Sequence, residues 1–235
     1  MSSDHLLQVS RGLADLSPAP PLWLLSICRS SCGFCQKLNP TWQLLAVRLA
    51  PMVGVASWDA DRLPELPEEF GDVRSTPAIF ALRPPGTPGA NTSSWSAIHY
   101  LGSRTLDNLV AFATQHMPNG VTPLHSEEEW AGLERFASER RQPRVVVFLN
   151  QTTASQTPAV LRSLASSFSR HLAMGEVRLR HARNDAPGAA WARRLGVADT
   201  LPAMVALPPG NAPSVHCTRW THAGLRRCLV ELLDP

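Results

Sequence analysis

The chain has 235 residues, 44% hydrophobic and 17% charged, which is too apolar for a disordered segment and long enough for two ordinary domains. No uncharged apolar run reaches about 18 residues, so no membrane-crossing helix is expected. The net charge of +3 is uneven: residues 1–119 carry 8 basic and 9 acidic side chains, residues 120–235 carry 14 and 10.

Residues 5–9 read as a short strand and 11–16 as a short helix stopped by Pro18, Pro20 and Pro21. Residues 21–28 form a continuous apolar run, the pattern of a strand buried on both faces. A helix is expected over 35–49, with Leu38, Trp42, Leu45, Val47 and Leu49 in helical spacing and Pro40 bending it. Strands are expected over 53–58, 78–82 and 95–100, part of a helix at 66–70, and a Pro/Gly/Asn/Ser loop over 83–94. A helix over 105–116, capped by Thr105 or Ser103, closes the first half. Met117-Pro118-Asn119-Gly120 then breaks the chain.

The same order recurs beyond the break. A strand at 121–124 leads to a helix ending at 139, with Ser126 as cap and Glu129 in the capping-box position. Strands at 144–149, 176–181, 203–207 and 214–220 alternate with helices at 158–172, 189–195 and 223–233. Alternating strands and amphipathic helices predict an α/β fold, and a repeat of about 115 residues predicts two domains, 1–119 and 120–235. Arg178, Arg180, Arg183, Arg193 and Arg194 add to the basic second half. No aromatic residues interleave with them as in a nucleic-acid module, so they read as a solvated face and no nucleic-acid partner is expected.

Five cysteines (Cys28, Cys32, Cys35, Cys217 and Cys228) are too few and too unevenly placed for a disulfide-stapled small domain, and the odd number leaves at least one unpaired. Cys32-Gly33-Phe34-Cys35 follows a buried strand and opens a helix. A helix N-terminus offers unpaired N–H groups and a positive dipole end, which favour a thiolate. Cys32, in the exposed turn, is then the attacking thiolate, and Cys35, shielded one turn in, the resolving thiol. Gly33 is expected to let the turn close tightly, and Phe34 contributes no charge. The alternative is zinc held by Cys28, Cys32 and Cys35, but the local sequence offers no fourth ligand, so no metal is expected. Cys28, at the strand exit, reads as an ordinary buried thiol.

The stretch SSCGFCQKLNPTW at 30–42 resembles the active-site segment of the thioredoxin superfamily. Val73-Arg74-Ser75-Thr76-Pro77-Ala78-Ile79-Phe80 resembles the family's loop whose cis-proline faces the dithiol. Tyr100-Leu101-Gly102-Ser103-Arg104-Thr105 resembles the Y-x-G-x-R stretch of catalytic domains of protein disulfide isomerases. The resemblance implies two tandem thioredoxin-like domains, each a central mixed sheet flanked by helices, and a thiol–disulfide oxidoreductase acting on protein cysteines without a cofactor. It implies catalytic roles for Cys32, Cys35, Pro77 and Arg104, and substrate contacts for Gly33, Phe34 and the Thr76 backbone. Arg104 would assist thiolate formation, or else stand as a solvated residue in a helix's first turn. Ser31 replaces the family's usual tryptophan and Ser26 its usual buried acid, which implies a slower dithiol.

The second half has no CxxC after the strand at 144–149; Asn150-Gln151-Thr152-Thr153 stands there, and Thr200-Leu201-Pro202 mimics the approach to Pro77. This resembles the redox-inactive domains of disulfide isomerases, which bind substrate or support the catalytic domain. Cys217 and Cys228 read as buried hydrophobes, and Trp130, Trp191 and Trp220 as packing residues. The first 20 residues lack the apolar core of a signal peptide and the chain ends without a KDEL-like signal, yet the resemblance implies the endoplasmic reticulum lumen, with the cytoplasm as the alternative. The sequons at Asn91 and Asn150 favour a secretory compartment slightly. The rival class is a non-enzymatic chaperone or assembly subunit of the same fold. A monothiol glutaredoxin is disfavoured, because Cys35 stands where that signature has serine.

Overall fold

In the computed structural model, which describes residues 5–17, 20–88, 93–150, 156–179, 187–210 and 213–233, each half of the chain winds five strands into one mixed sheet. The two halves separate into the units Met1–Pro118 and Asn119–Pro235. No helix among the described residues is long and apolar enough to cross a membrane.

In the first unit β1 (Leu6–Val9), β2 (Trp23–Cys28) and β3 (Gly54–Asp59) run parallel, while β4 (Ala78–Arg83) and β5 (Ser96–Tyr100) continue the sheet antiparallel, in the order β1-β3-β2-β4-β5. The central strand β2 is buried from Trp23 to Ile27, as its apolar run requires. Helix α1 (Gly33–Leu49) continues through Pro40 and buries Leu38, Trp42, Leu45 and Leu49. Trp42 Nε1 donates to the Ala56 carbonyl at 3.1 Å, which fixes α1 over β3. Helix α2 (Leu106–His116) starts at Thr105, whose hydroxyl accepts from the Asn108 N–H at 3.4 Å.

Two expected helices shrink to single 3-10 turns, Leu13–Asp15 and Glu68–Phe70. Pro67 restricts the start of the second, and Gly71, at φ +61°, ends it in a left-handed conformation that glycine adopts without strain.

In the second unit β6 (Val121–Pro123), β7 (Arg144–Asn150) and β8 (Ala173–Leu179) are parallel, and β9 (Ala203–Leu207) and β10 (Val215–Cys217) are antiparallel, in the order β10-β9-β7-β8-β6. Among the described residues four helices accompany them: α3 (Glu127–Glu139), α4 (Ala159–Ser167), α5 (Pro187–Arg194) and α6 (His222–Leu233). α4 stops at Ser167 rather than 172, and β8 begins at Ala173 rather than 176 because Ala173 already pairs with Arg144 in the parallel ladder. Trp130 and Trp191 are buried with ring centroids 4.6 Å apart, and Trp191 Nε1 donates to Glu127 at 2.8 Å. Trp220 packs partly buried against the cluster that holds Cys217. Arg178 donates to the buried Glu176 carboxylate, and the Arg194 guanidinium lies 5.3 Å from the Trp130 ring centroid. Pro18, Asn91, Thr92, Gln151, Thr152, Thr153, Arg180, His181 and Arg183 lie outside the described residues.

Cys217 and Cys228 are not two separate buried thiols: they form a disulfide, with Cα atoms 5.8 Å apart. α6 packs back against β10 and brings the two cysteines into register, a tertiary contact that a spacing of 11 residues does not encode.

Candidate functional site

Cys32 is the N-cap of α1, in extended backbone at φ −80° and ψ 108°, and its carbonyl accepts the Gln36 N–H at 3.1 Å. Residues 29–31, between β2 and α1, are held from two sides. The Asp61 carboxylate accepts the Ser30 N–H at 2.7 Å and the Ser30 hydroxyl at 2.6 Å, and Gln36 Nε2 donates to the Ser30 carbonyl at 3.1 Å. The Ser30 hydroxyl, the Ser30 N–H and the nearby Arg29 charge together hold the Asp61 carboxyl below the usual range. Gly33 is the first residue of α1; a Cβ there would meet nothing within 4 Å, so the turn does not need glycine for space. Phe34 is 67% exposed on the same rim.

The Thr76–Pro77 bond is cis, as the resemblance implied, and so is Leu201–Pro202 in the second unit. Cys32 Sγ lies 3.3 Å from the Thr76 carbonyl oxygen, which accepts from the thiol. Arg104 Nη2 donates to the Pro77 carbonyl at 3.1 Å, so its guanidinium steadies the cis-proline loop and adds positive charge near the sulfur. The Cys32 thiol is pushed below the ordinary value, first by a hydrogen bond from the Thr76 side chain and then by the Cys35 N–H. The Phe34 N–H and the Arg104 charge add less, and partial burial opposes them. The Thr76 carbonyl favours the thiol instead, but the Thr76 side chain, with the Cys35 N–H of the first helical turn behind it, outweighs that contact and sets the direction.

Cys35 faces inward, 7% exposed, and is joined in a disulfide to Cys28 at the end of β2, with Cα atoms 5.8 Å apart; Cys32 is the free thiol. The resolving thiol expected from the sequence is therefore tied to a cysteine expected to be inert. The Cys28-x3-Cys32 spacing was the available signal, and zinc ligation was the only role it suggested. With Cys28 and Cys35 bonded to each other, the three sulfurs are not a set of thiolate ligands. A cavity of about 250 Å³ borders this disulfide, lined by Ser26, Cys28, Cys35, Asn39, Ser57 and Asp59 among others. Ser26, 2% exposed, meets the Ser57 hydroxyl at 3.3 Å where the resemblance expects a buried acid. Nothing in the sequence pointed to the Asp61 clamp, which joins segments 31 residues apart.

A family model described as Thioredoxin matches residues 15–115. A mitochondrial thioredoxin domain-containing protein of Schizosaccharomyces pombe is 30% identical over 141 residues, covering 59% of this chain and 36% of that protein. Protein disulfide isomerase-like 2-3 of Oryza sativa subsp. japonica is 31% identical over 126 residues, covering 51% of this chain and 26% of that protein. The chain thus spans at most 36% of the length of these two relatives. The crystal structure of ERdj5 form II matches 97% of this chain and 29% of its own, with a TM-score of 0.68 and 19% identity, a likeness of fold.

Proposed function

We propose, from the premise that the first domain belongs to the thioredoxin family, that the chain is a thiol–disulfide oxidoreductase of the disulfide-isomerase type acting on protein cysteines. Cys32 is the nucleophile and Cys35 the resolving thiol; Thr76 offers backbone groups to an extended client, and Pro77 and Arg104 shape the contact face. The observation that carries this reading is the free Cys32 thiol at the start of α1, 3.3 Å from the carbonyl that precedes the cis-proline. The exposed Phe34 rim suits an apolar client segment beside the sulfur. We assign domains 1–119 and 120–235, the second without a CxxC and supporting client binding. The compartment we favour is the endoplasmic reticulum lumen, since disulfides such as Cys217–Cys228 persist in oxidising surroundings.

The test is client trapping. Cys35→Ser should accumulate mixed disulfides through Cys32, and Cys32→Ser should accumulate none, because attack precedes resolution. Equal trapping by both variants, or by neither, would favour a non-enzymatic binding subunit. The tie between Cys35 and Cys28 is the observation on that rival's side, because it removes the resolving thiol from the nucleophile.

A further inference from the structure

Cys35 stands between two possible partners. On one side Cys28 ends β2, and on the other Cys32 caps the helix that Cys35 enters. The Cα separation of 5.8 Å to Cys28 is ordinary for a disulfide, and a cysteine three residues earlier at a helix start is the usual spacing of a redox dithiol. The two partners face different surroundings. Cys28 and Cys35 line the cavity beside Ser26 and Ser57, whereas Cys32 faces Thr76 at the cis-proline loop.

We propose that Cys28 is a third redox cysteine of this site, exchanging with Cys32 for the sulfur of Cys35; this rests on the oxidoreductase reading above. The Cys32 thiolate attacks Cys35 Sγ, the Cys32–Cys35 bond forms as the Cys28–Cys35 bond breaks, and the electron pair leaves on Cys28 Sγ. The proton that Cys32 gave up on ionising ends on Cys28. One disulfide is lost and one gained, so no external oxidant or reductant takes part and both forms hold the same number of electrons. They differ in function. With Cys32–Cys35 closed, the site can pass its disulfide to a client. With Cys28–Cys35 closed, Cys32 is a nucleophile without its resolving partner, and a client disulfide it attacks stays attached until a dithiol reductant opens Cys28–Cys35.

Linkage mapping on the full chain tests this. Samples equilibrated at pH 7 over a range of glutathione ratios are acid-quenched, alkylated and cut with trypsin. Cleavage after Arg29 and Lys37 puts Cys28 in peptide 12–29 and both Cys32 and Cys35 in peptide 30–37. The expected result is a cross-link from 12–29 to Cys35, with Cys32 alkylated, beside a closed 30–37 peptide. Their ratio should stay constant while total oxidation changes, because the two forms are equal in electrons. Cys28→Ala and Cys28→Ser should leave only the closed peptide and abolish trapping of clients by the otherwise unmodified chain. Alkylated Cys28 at every glutathione ratio, or a cross-link ratio that follows the glutathione ratio, would overturn the exchange. Failure of the chain and both Cys28 variants to reduce insulin disulfides would instead overturn the oxidoreductase reading and leave the linkage result to decide the role of Cys28.

Discussion

Cys32 Sγ is offered one acceptor, the Thr76 carbonyl, and several groups that favour a thiolate, the Thr76 side chain first and the Cys35 N–H next. Alkylation of Cys32 by iodoacetamide should therefore outrun that of every other thiol in the reduced chain, with a pH midpoint below the ordinary thiol value of about 8.5. The lowered value also means that this thiolate stabilises the fold at high pH and that its contribution is lost as pH falls through the folded-state value. Mass mapping that finds Cys28 or Cys35 labelled first would reverse the roles. Ser26 allows a second test. Ser26→Asp places a carboxylate in the buried end of the cavity near Cys35, where burial raises its pKa toward neutrality and lets it accept a proton during resolution. Insulin-reduction turnover should rise, at a stability cost of about 1–3 kcal/mol from burying the acid. A variant that folds with unchanged turnover would show that proton transfer at Cys35 is not limiting. At this scale the cis Thr76–Pro77 bond was legible because a motif announced it. The Cys28–Cys35 bond was not, because seven residues spanning a strand end and a helix start do not say which thiols face each other.

The start of α3 was legible in the sequence, since capping is local chemistry. Ser126 and Glu129 form the reciprocal capping box expected of them: the Ser126 hydroxyl accepts the Glu129 N–H at 3.2 Å, and the Glu129 carboxylate accepts the Ser126 N–H at 3.1 Å. Ser126→Ala should destabilise the second unit by about 1 kcal/mol in urea titrations and leave the Cys32 alkylation rate unchanged. No loss of stability would mean that α3 is fixed by Trp130 and Leu133 packing alone. The end of α4 and the start of β8 were read less well. The early start of β8 is set by the pairing of Ala173 with Arg144 of β7, which only the folded sheet supplies.

The whole-molecule plan, an α/β chain of two mixed sheets, was legible because the order of elements repeats. The disulfide that ties β10 to α6 was not, since its two cysteines meet through the packing of α6 on β10, which a spacing of 11 residues does not encode. Closing 11 residues, it should stabilise the second unit by about 3 kcal/mol on the chain-entropy account. A chain carrying Cys217→Ala and Cys228→Ala should show that loss in the transition of the second unit, with the first unit's transition unmoved. A shift of both transitions would couple the units, and no shift would make the bond dispensable.

The lengths of the outermost strands have a consequence for solubility. Among the described residues the second sheet ends on Val121–Pro123 and Val215–Cys217, three residues each, and Pro123 has no N–H to offer a neighbour. A passing chain finds little backbone there to extend into a shared ladder. The first sheet ends on four residues at Leu6–Val9 and five at Ser96–Tyr100. Intermolecular β-pairing, the seed of fibrous aggregation, should therefore start from the first unit when the protein is concentrated.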